Sequence, residues 1–287
     1  MESLGKYLRD PAPPSAAKPR VKRPYPGVFQ AIGLVLLLAL VELLVCGFAG
    51  AFSANANLDS PRFAICCLIS TAIILRYGLW KTKATFSEVF PLTRVSWSLC
   101  LPIVLCIVGL YTIAHNVDSF IYMVYPPPVF IRHLLSDLLH AGGYWNAFLQ
   151  VVVVAPFTEE FLCRGLILRG LLKRYGTVTA VVASAVLFGA FHGNIWQFSS
   201  AVLIGLIFGW LRVETQSLLP CLFGHAFWNV FVLELFIFPR WVPSSHLSKV
   251  LEPVQFVPLW VVLLGACVFG VGLFMLGRRF QTKRDFA

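Results

Sequence analysis

The chain has 287 residues, of which 58% are hydrophobic and 13% charged, with a formal net charge of +10. Soluble domains carry about 25% charged residues, so this composition excludes a soluble globular protein. Its positive charge lies outside the apolar runs, which excludes a nucleic-acid footprint and points to loops on the cytoplasmic side of a membrane.

Residues 1–27 are polar, basic and proline-rich, with Lys6, Arg9, Lys18, Arg20, Lys22 and Arg23, the composition of a disordered cytoplasmic arm. The apolar stretch from Gly27 to Phe52 is too long for the core of a cleaved signal and is predicted as a first spanning helix, although Ala54-Asn-Ala56 resembles a cleavage site. Further spans are predicted at 62–79, 97–116, 146–168, 178–195, 198–211, 217–238 and 256–277. Several approach the roughly 20 residues that cross a core of about 30 Å, and the two around 178–211 are shorter. The fold class is therefore all-α, a polytopic membrane helix bundle of about eight transmembrane helices. Within 117–145, residues 129–140 repeat apolar positions at helical spacing beside polar ones, which predicts a helix lying on the membrane surface.

The expected organisation is an arm over 1–27, N-terminal helices and the interfacial segment over 28–145, a core over 146–238, and a loop, last span and basic tail over 239–287. Eight spans put both termini on one side. With the amino end inside, most Lys and Arg fall on inner segments, including Lys81, Lys83, Arg94, Arg169, Lys173, Arg174 and the tail from Arg278 to Arg284. The eight cysteines lie in apolar segments without any CxxC spacing, so neither a disulfide framework nor a zinc site is expected.

The chemistry-bearing residues are polar groups set in apolar spans. Glu159 and Glu160 interrupt Val151-Val-Val-Val-Ala-Pro-Phe-Thr158, and an intramembrane carboxylate marks function by default. Counted inward at the rise of a helix, Glu159 lies roughly 16 Å deep, His192 roughly 21 Å, His225 roughly 12 Å and Asn229 roughly 18 Å. Four polar groups from three helices thus reach one level. Glu160 and Arg164 are spaced i, i+4 for an ion pair that holds the helix. Glu159 is rotated about 100° from Glu160 onto another face. There it is either a buried acid bonded to a neighbouring helix or, near a histidine, a general base acting on water. His192, one turn after Phe188, is either a helix-contact residue or the partner of Glu159 in holding that water. His225 and Asn229 share a face and suit either interhelical hydrogen bonding or stabilisation of an oxyanion. Glu42 and Glu234 lack obvious partners and read as structural. No HExxH, no aspartate between Asp137 and Asp285 and no GxSxG is present, so of the membrane-protease chemistries glutamate, histidine and water is the one left.

Glu159-Glu-Phe-Leu-Cys-Arg164, Phe188-Gly-Ala-Phe-His192 and His225-Ala-Phe-Trp-Asn229 resemble, in order and spacing, the EExxxR, FxxxH and HxxxN motifs of the CAAX-processing and bacteriocin-processing (Abi) family of intramembrane glutamic endopeptidases. The resemblance covers about a third of the chain, residues 145–238. It implies a helix bundle whose chamber opens to the cytoplasm and membrane. It also implies that Glu159 and His192 activate water, His225 and Asn229 form the oxyanion hole, and Glu160, Arg164 and Phe188 support them. No metal or other cofactor is implied. The expected partners are membrane lipids and a peptide or membrane-associated protein substrate, lipidated in the prenyl-processing members, and the expected location is a bacterial cell membrane. Two other classes compete: a non-catalytic immunity or adaptor protein whose polar cluster only holds helices together, and a transporter with an acid–histidine proton relay.

Overall fold

The computed structural model describes residues 24–51, 61–131, 143–237 and 256–285. Long aliphatic runs fold first into α1 (Val28–Ala51) and α2 (Pro61–Thr82), followed by the single turn α3 (Phe86–Val89) and by α4 (Cys100–Val124). Helix α5 continues without a break through Tyr144–Ala147, Phe148–Val154, Ala155–Glu160, Phe161–Ile167 and Leu168–Leu172. Its second and fourth stretches are π-helical, with Ala155 N–H donating to the Gln150 carbonyl and Leu168 N–H to that of Cys163. Then come α6 (Thr177–Phe191), α7 (Ile195–Thr215), α8 (Leu219–Ile237) and α9 (Leu259–Asp285).

The described residues contain no strand, and the expected all-α bundle is borne out. Apart from α3, each helix matches one expected span. Five are long and apolar enough to cross a membrane: Val28–Ala49, Pro61–Thr82, Trp97–Val124, Ile195–Thr215 and Leu259–Thr282. The chain is a multi-pass integral membrane protein.

Helix α5 is the centre. Every residue from Glu160 to Leu168 is buried. On one side Leu162 and Leu166 join a core with Leu34 and Leu38 of α1 and Ile74 of α2. On the other, Cys163 joins Ile107 of α4, Phe208 of α7, Cys221 of α8 and Leu276 of α9.

Two expected boundaries are too short. The third span was expected to end at 116, yet α4 runs on to Val124, and the polar groups there find partners on other elements. Asn116 clamps the backbone before α9, accepting from Val257 N–H at 2.8 Å and donating to the Val257 carbonyl at 3.1 Å. Asp118 accepts from the Ser199 hydroxyl of α7 at 2.7 Å. Helix α9 likewise extends past 277, carrying the basic residues expected in a tail. The surface helix expected at 129–140 is helical over 129–131, and its remainder lies outside the described residues, as do residues 1–23.

Helices α4 and α9 approach closely at Gly109, where a Cβ would stand 2.4 Å from the Gly265 carbonyl oxygen and from Phe269 N. Because backbone cannot give way cheaply, Gly109→Ala should lower unfolding stability by about 1–3 kcal/mol, the usual range for overpacking. Gly270→Ala, where a Cβ meets nothing within 4 Å, should not lower it. Thermal unfolding in detergent, followed by circular dichroism, measures both.

Candidate active site

The acidic pair sits at the end of the α-helical stretch between the two π-helical turns of α5. A π turn adds a residue to the i→i−4 ladder and so changes which side chains share a face, and such turns are frequent at functional sites. Adjacent residues still diverge by roughly 100°, and the two carboxylates face different surroundings.

Glu160 points inward. Its Oε1 accepts from Arg164 Nη1 at 2.9 Å, and both side chains are 0% exposed. The same oxygen lies 2.8 Å from His225 Nδ1 on α8. The i, i+4 pair read from the sequence is therefore present, and it reaches a third group that the spacing did not reveal. Arg164 also donates through Nη2 to the Gly205 carbonyl of α7 at 3.2 Å. Its guanidinium carbon stands 4.2 Å from the Phe188 ring centre and 5.4 Å from that of Phe208, favourable cation–π geometry. The buried ion pair thus ties α5 to α6 and α7 through Arg164 and to α8 through Glu160.

Glu159 faces the other imidazole nitrogen. Its Oε2 is 3.8 Å from His225 Nε2, slightly beyond a hydrogen bond. That oxygen is buried and, among the described residues, has no hydrogen-bond partner. With Glu160 taking Nδ1–H, the imidazole is oriented so that Nε2 meets Glu159. A second carboxylate, Glu42 of α1, lies close enough for its charge to act on Glu159.

His192 caps α6. Its Nδ1 bonds the Phe188 carbonyl at 3.0 Å, and its ring stands edge-on to Phe188 with centroids 5.2 Å apart. The other face of this contact set is His225, whose ring centroid is 5.6 Å from that of Phe188 and which stacks on Phe208 at 5.5 Å. Phe188 therefore touches both imidazoles and the guanidinium. His192 itself makes no hydrogen bond to either glutamate. The chain leaves His192 through Gly193, at φ +65°, and Asn194 then closes the turn. Asn194 donates to the His192 carbonyl at 2.9 Å and accepts from Gln197 N–H at 2.9 Å.

Asn229, one turn beyond His225, donates to the Val151 carbonyl in the first π-helical stretch at 2.7 Å. The second hydrogen of its amide is not used in that bond. Sequence reasoning thus named the side chains that converge, with His225 closest to both acids. It missed Phe208, the Gly205 and Val151 carbonyls and the approach of Glu42. Backbone acceptors leave no mark in a sequence, and Phe208 is one aromatic among 25 phenylalanines. The side chain of Glu234 lies outside the described residues.

The described helix bundle encloses a buried acid–imidazole cluster, and comparison with known proteins points to a CAAX-protease-like membrane peptidase. Residues 141–231, which enclose all three motifs, match the family model described as "Type II CAAX prenyl endopeptidase Rce1-like". The chain is also similar to the Bacillus subtilis (strain 168) protein named "Putative membrane peptidase YdiL", with 23% identity over 214 residues, covering 71% of this chain and 84% of the relative. Both matches bear out the resemblance read from the motifs. No solved structure matches the chain.

Removing one partner of a buried ion pair strands the other. Arg164→Leu should therefore cost about 3–5 kcal/mol of unfolding stability. Glu159→Gln keeps its shape at an oxygen with no hydrogen bond to lose and should change stability by about 1 kcal/mol or less. Denaturant titration of the purified variants in detergent separates the two.

Proposed function

We propose that the chain is an intramembrane endopeptidase that hydrolyses peptide bonds of membrane-associated proteins. The observation that carries this reading is Glu159 Oε2, buried, without a hydrogen-bond partner, and facing an imidazole whose far nitrogen is fixed by a second carboxylate. Glu159 takes a proton from a water held with His192, and the hydroxide adds to the scissile carbonyl carbon. Asn229 donates to the oxyanion through its second amide hydrogen, and His225 donates through Nε2–H as the imidazolium, its Nδ1–H being held by Glu160. The carbon–nitrogen bond then breaks, and the proton held by Glu159 passes to the leaving amine. Glu160, Arg164 and Phe188 position these groups without touching substrate.

Catalytic hydrogen bonds are often long before substrate binds, so a 3.8 Å separation between Glu159 and His225 suits a resting site. The substrate class is a peptide or membrane-associated protein that presents an unfolded segment, and the family description favours lipidated ones. Both termini belong on the cytoplasmic side of a bacterial cell membrane, a placement supported by the basic residues at the ends of α2, α5 and α9.

A second reading, a non-catalytic adaptor, draws on the same contacts: the Glu160–Arg164–His225 tie and the Asn229–Val151 bond also hold helices together. Glu159→Gln separates the readings, since it removes the base while leaving those contacts intact. Cleavage products in the membrane-associated peptidome of cells carrying the variant should fall by about 10²- to 10⁴-fold, the worth of a general base, at unchanged protein abundance. Unaltered processing would end the peptidase reading. Asn229→Ala should lower turnover by about 10²- to 10³-fold, as loss of one oxyanion donor does, measured by the initial cleavage rate of a substrate recovered from that comparison.

A further inference from the structure

A cavity of about 300 Å³ lies between the start of α1 and the end of α2, and none of the acid–imidazole cluster lines it. Its two sides differ in chemistry. Tyr25, Gln30, Tyr77 and Lys81 give it a polar side, here called the rim, and Gly33, Leu34 and Leu37 an apolar side, the floor, which is open at the exposed Gly33. Along α1 the lining residues 30, 33, 34 and 37 follow helical spacing, so they form one stripe leading from the helix end into the span. On α2, Tyr77 and Lys81 are one turn apart and face that stripe.

The rim is cationic and hydroxyl-rich. The Lys81 ammonium stands 4.6 Å from the Trp80 ring centre and 5.6 Å from that of Tyr77, and among the described residues no carboxylate pairs with it. Arg174, at the end of α5, lies against the backbone of Gly27, three residues before Gln30. Burial, followed by the influence of the neighbouring Tyr77 hydroxyl, pushes the Tyr25 phenol up to about 12. The Tyr25 hydroxyl is thus a neutral group able to donate. Trp80 is exposed beside them, at the level where aromatic and basic side chains anchor helices to the membrane surface.

We propose that this cavity binds an anionic phospholipid, its phosphate facing Lys81 and the tyrosine hydroxyls and the start of one acyl chain lying along Gly33, Leu34 and Leu37. A soluble anion has no use for an apolar floor inside a spanning helix, and a zwitterionic lipid gains less from an unpaired ammonium. The volume is at the lower end for ligand pockets, about 300–1,000 Å³, which fits a headgroup and the first part of a chain rather than a whole lipid. Gly33 is the residue that leaves the floor open: a Cβ there meets no atom within 4 Å. The site is independent of the peptidase reading.

Native mass spectrometry of the full-length protein in detergent tests the proposal with phosphatidylglycerol, phosphatidylcholine of the same chains, and inorganic phosphate. Wild type should retain phosphatidylglycerol over phosphatidylcholine by about fivefold, the factor expected of one basic side chain near an anionic headgroup. Lys81→Gln should erase that preference and Lys81→Arg should keep it. Gly33→Leu fills the floor and should remove the phosphatidylglycerol adduct while Lys81 remains. Any of four results overturns the proposal: equal retention of the two lipids by wild type, a preference that survives Lys81→Gln, an adduct that survives Gly33→Leu, or displacement of phosphatidylglycerol by an equal concentration of inorganic phosphate. Gly33→Leu carries no charge change, so a folding defect in Lys81→Gln leaves the second variant decisive.

Discussion

One carboxylate oxygen holds the middle of this molecule together. Glu160 Oε1 accepts from Arg164 and bonds His225, while Arg164 reaches the Gly205 carbonyl and lies against Phe188 and Phe208. Burying two charges without water is costly, and the arrangement offsets that cost by giving the ion pair partners on three neighbouring helices. The same contacts fix the orientation of His225, so the stability of the bundle and the aim of the imidazole toward Glu159 cannot be altered separately.

The acids divide their work through local geometry. Adjacent residues on a helix point about 100° apart, so Glu160 enters the packed interior and pairs with Arg164 and His225, while Glu159 faces the far nitrogen of His225; among the described residues, each keeps one buried oxygen without a hydrogen-bond partner. Phe188 joins the two histidine-bearing helices by contacting both rings. Its role follows from shape rather than charge: a flat aromatic surface can support two edge-on imidazoles and a guanidinium at once.

Much of this was legible because charge is conspicuous in apolar sequence. Glu159, Glu160, Arg164, His192, His225 and Asn229 stand out in spans where little else is polar, and the i, i+4 spacing of Glu160 and Arg164 gave their pairing directly. The end of α4 was placed too early, at 116. The partners of Asn116 and Asp118, Val257 and Ser199, are more than 80 residues away. Tertiary satisfaction of a polar group cannot be seen along a single segment. The π-helical turns were hidden too, since Phe148–Val154 and Phe161–Ile167 are built from residues that suit an ordinary helix.

Those widened turns give α5 a property that a regular helix lacks. Each adds a residue to the regular hydrogen-bond ladder. A side chain beyond such a turn therefore points about 100° away from where an unbroken ladder would aim it, and Ala155–Glu160, with one widened turn on each side, takes its facing from both.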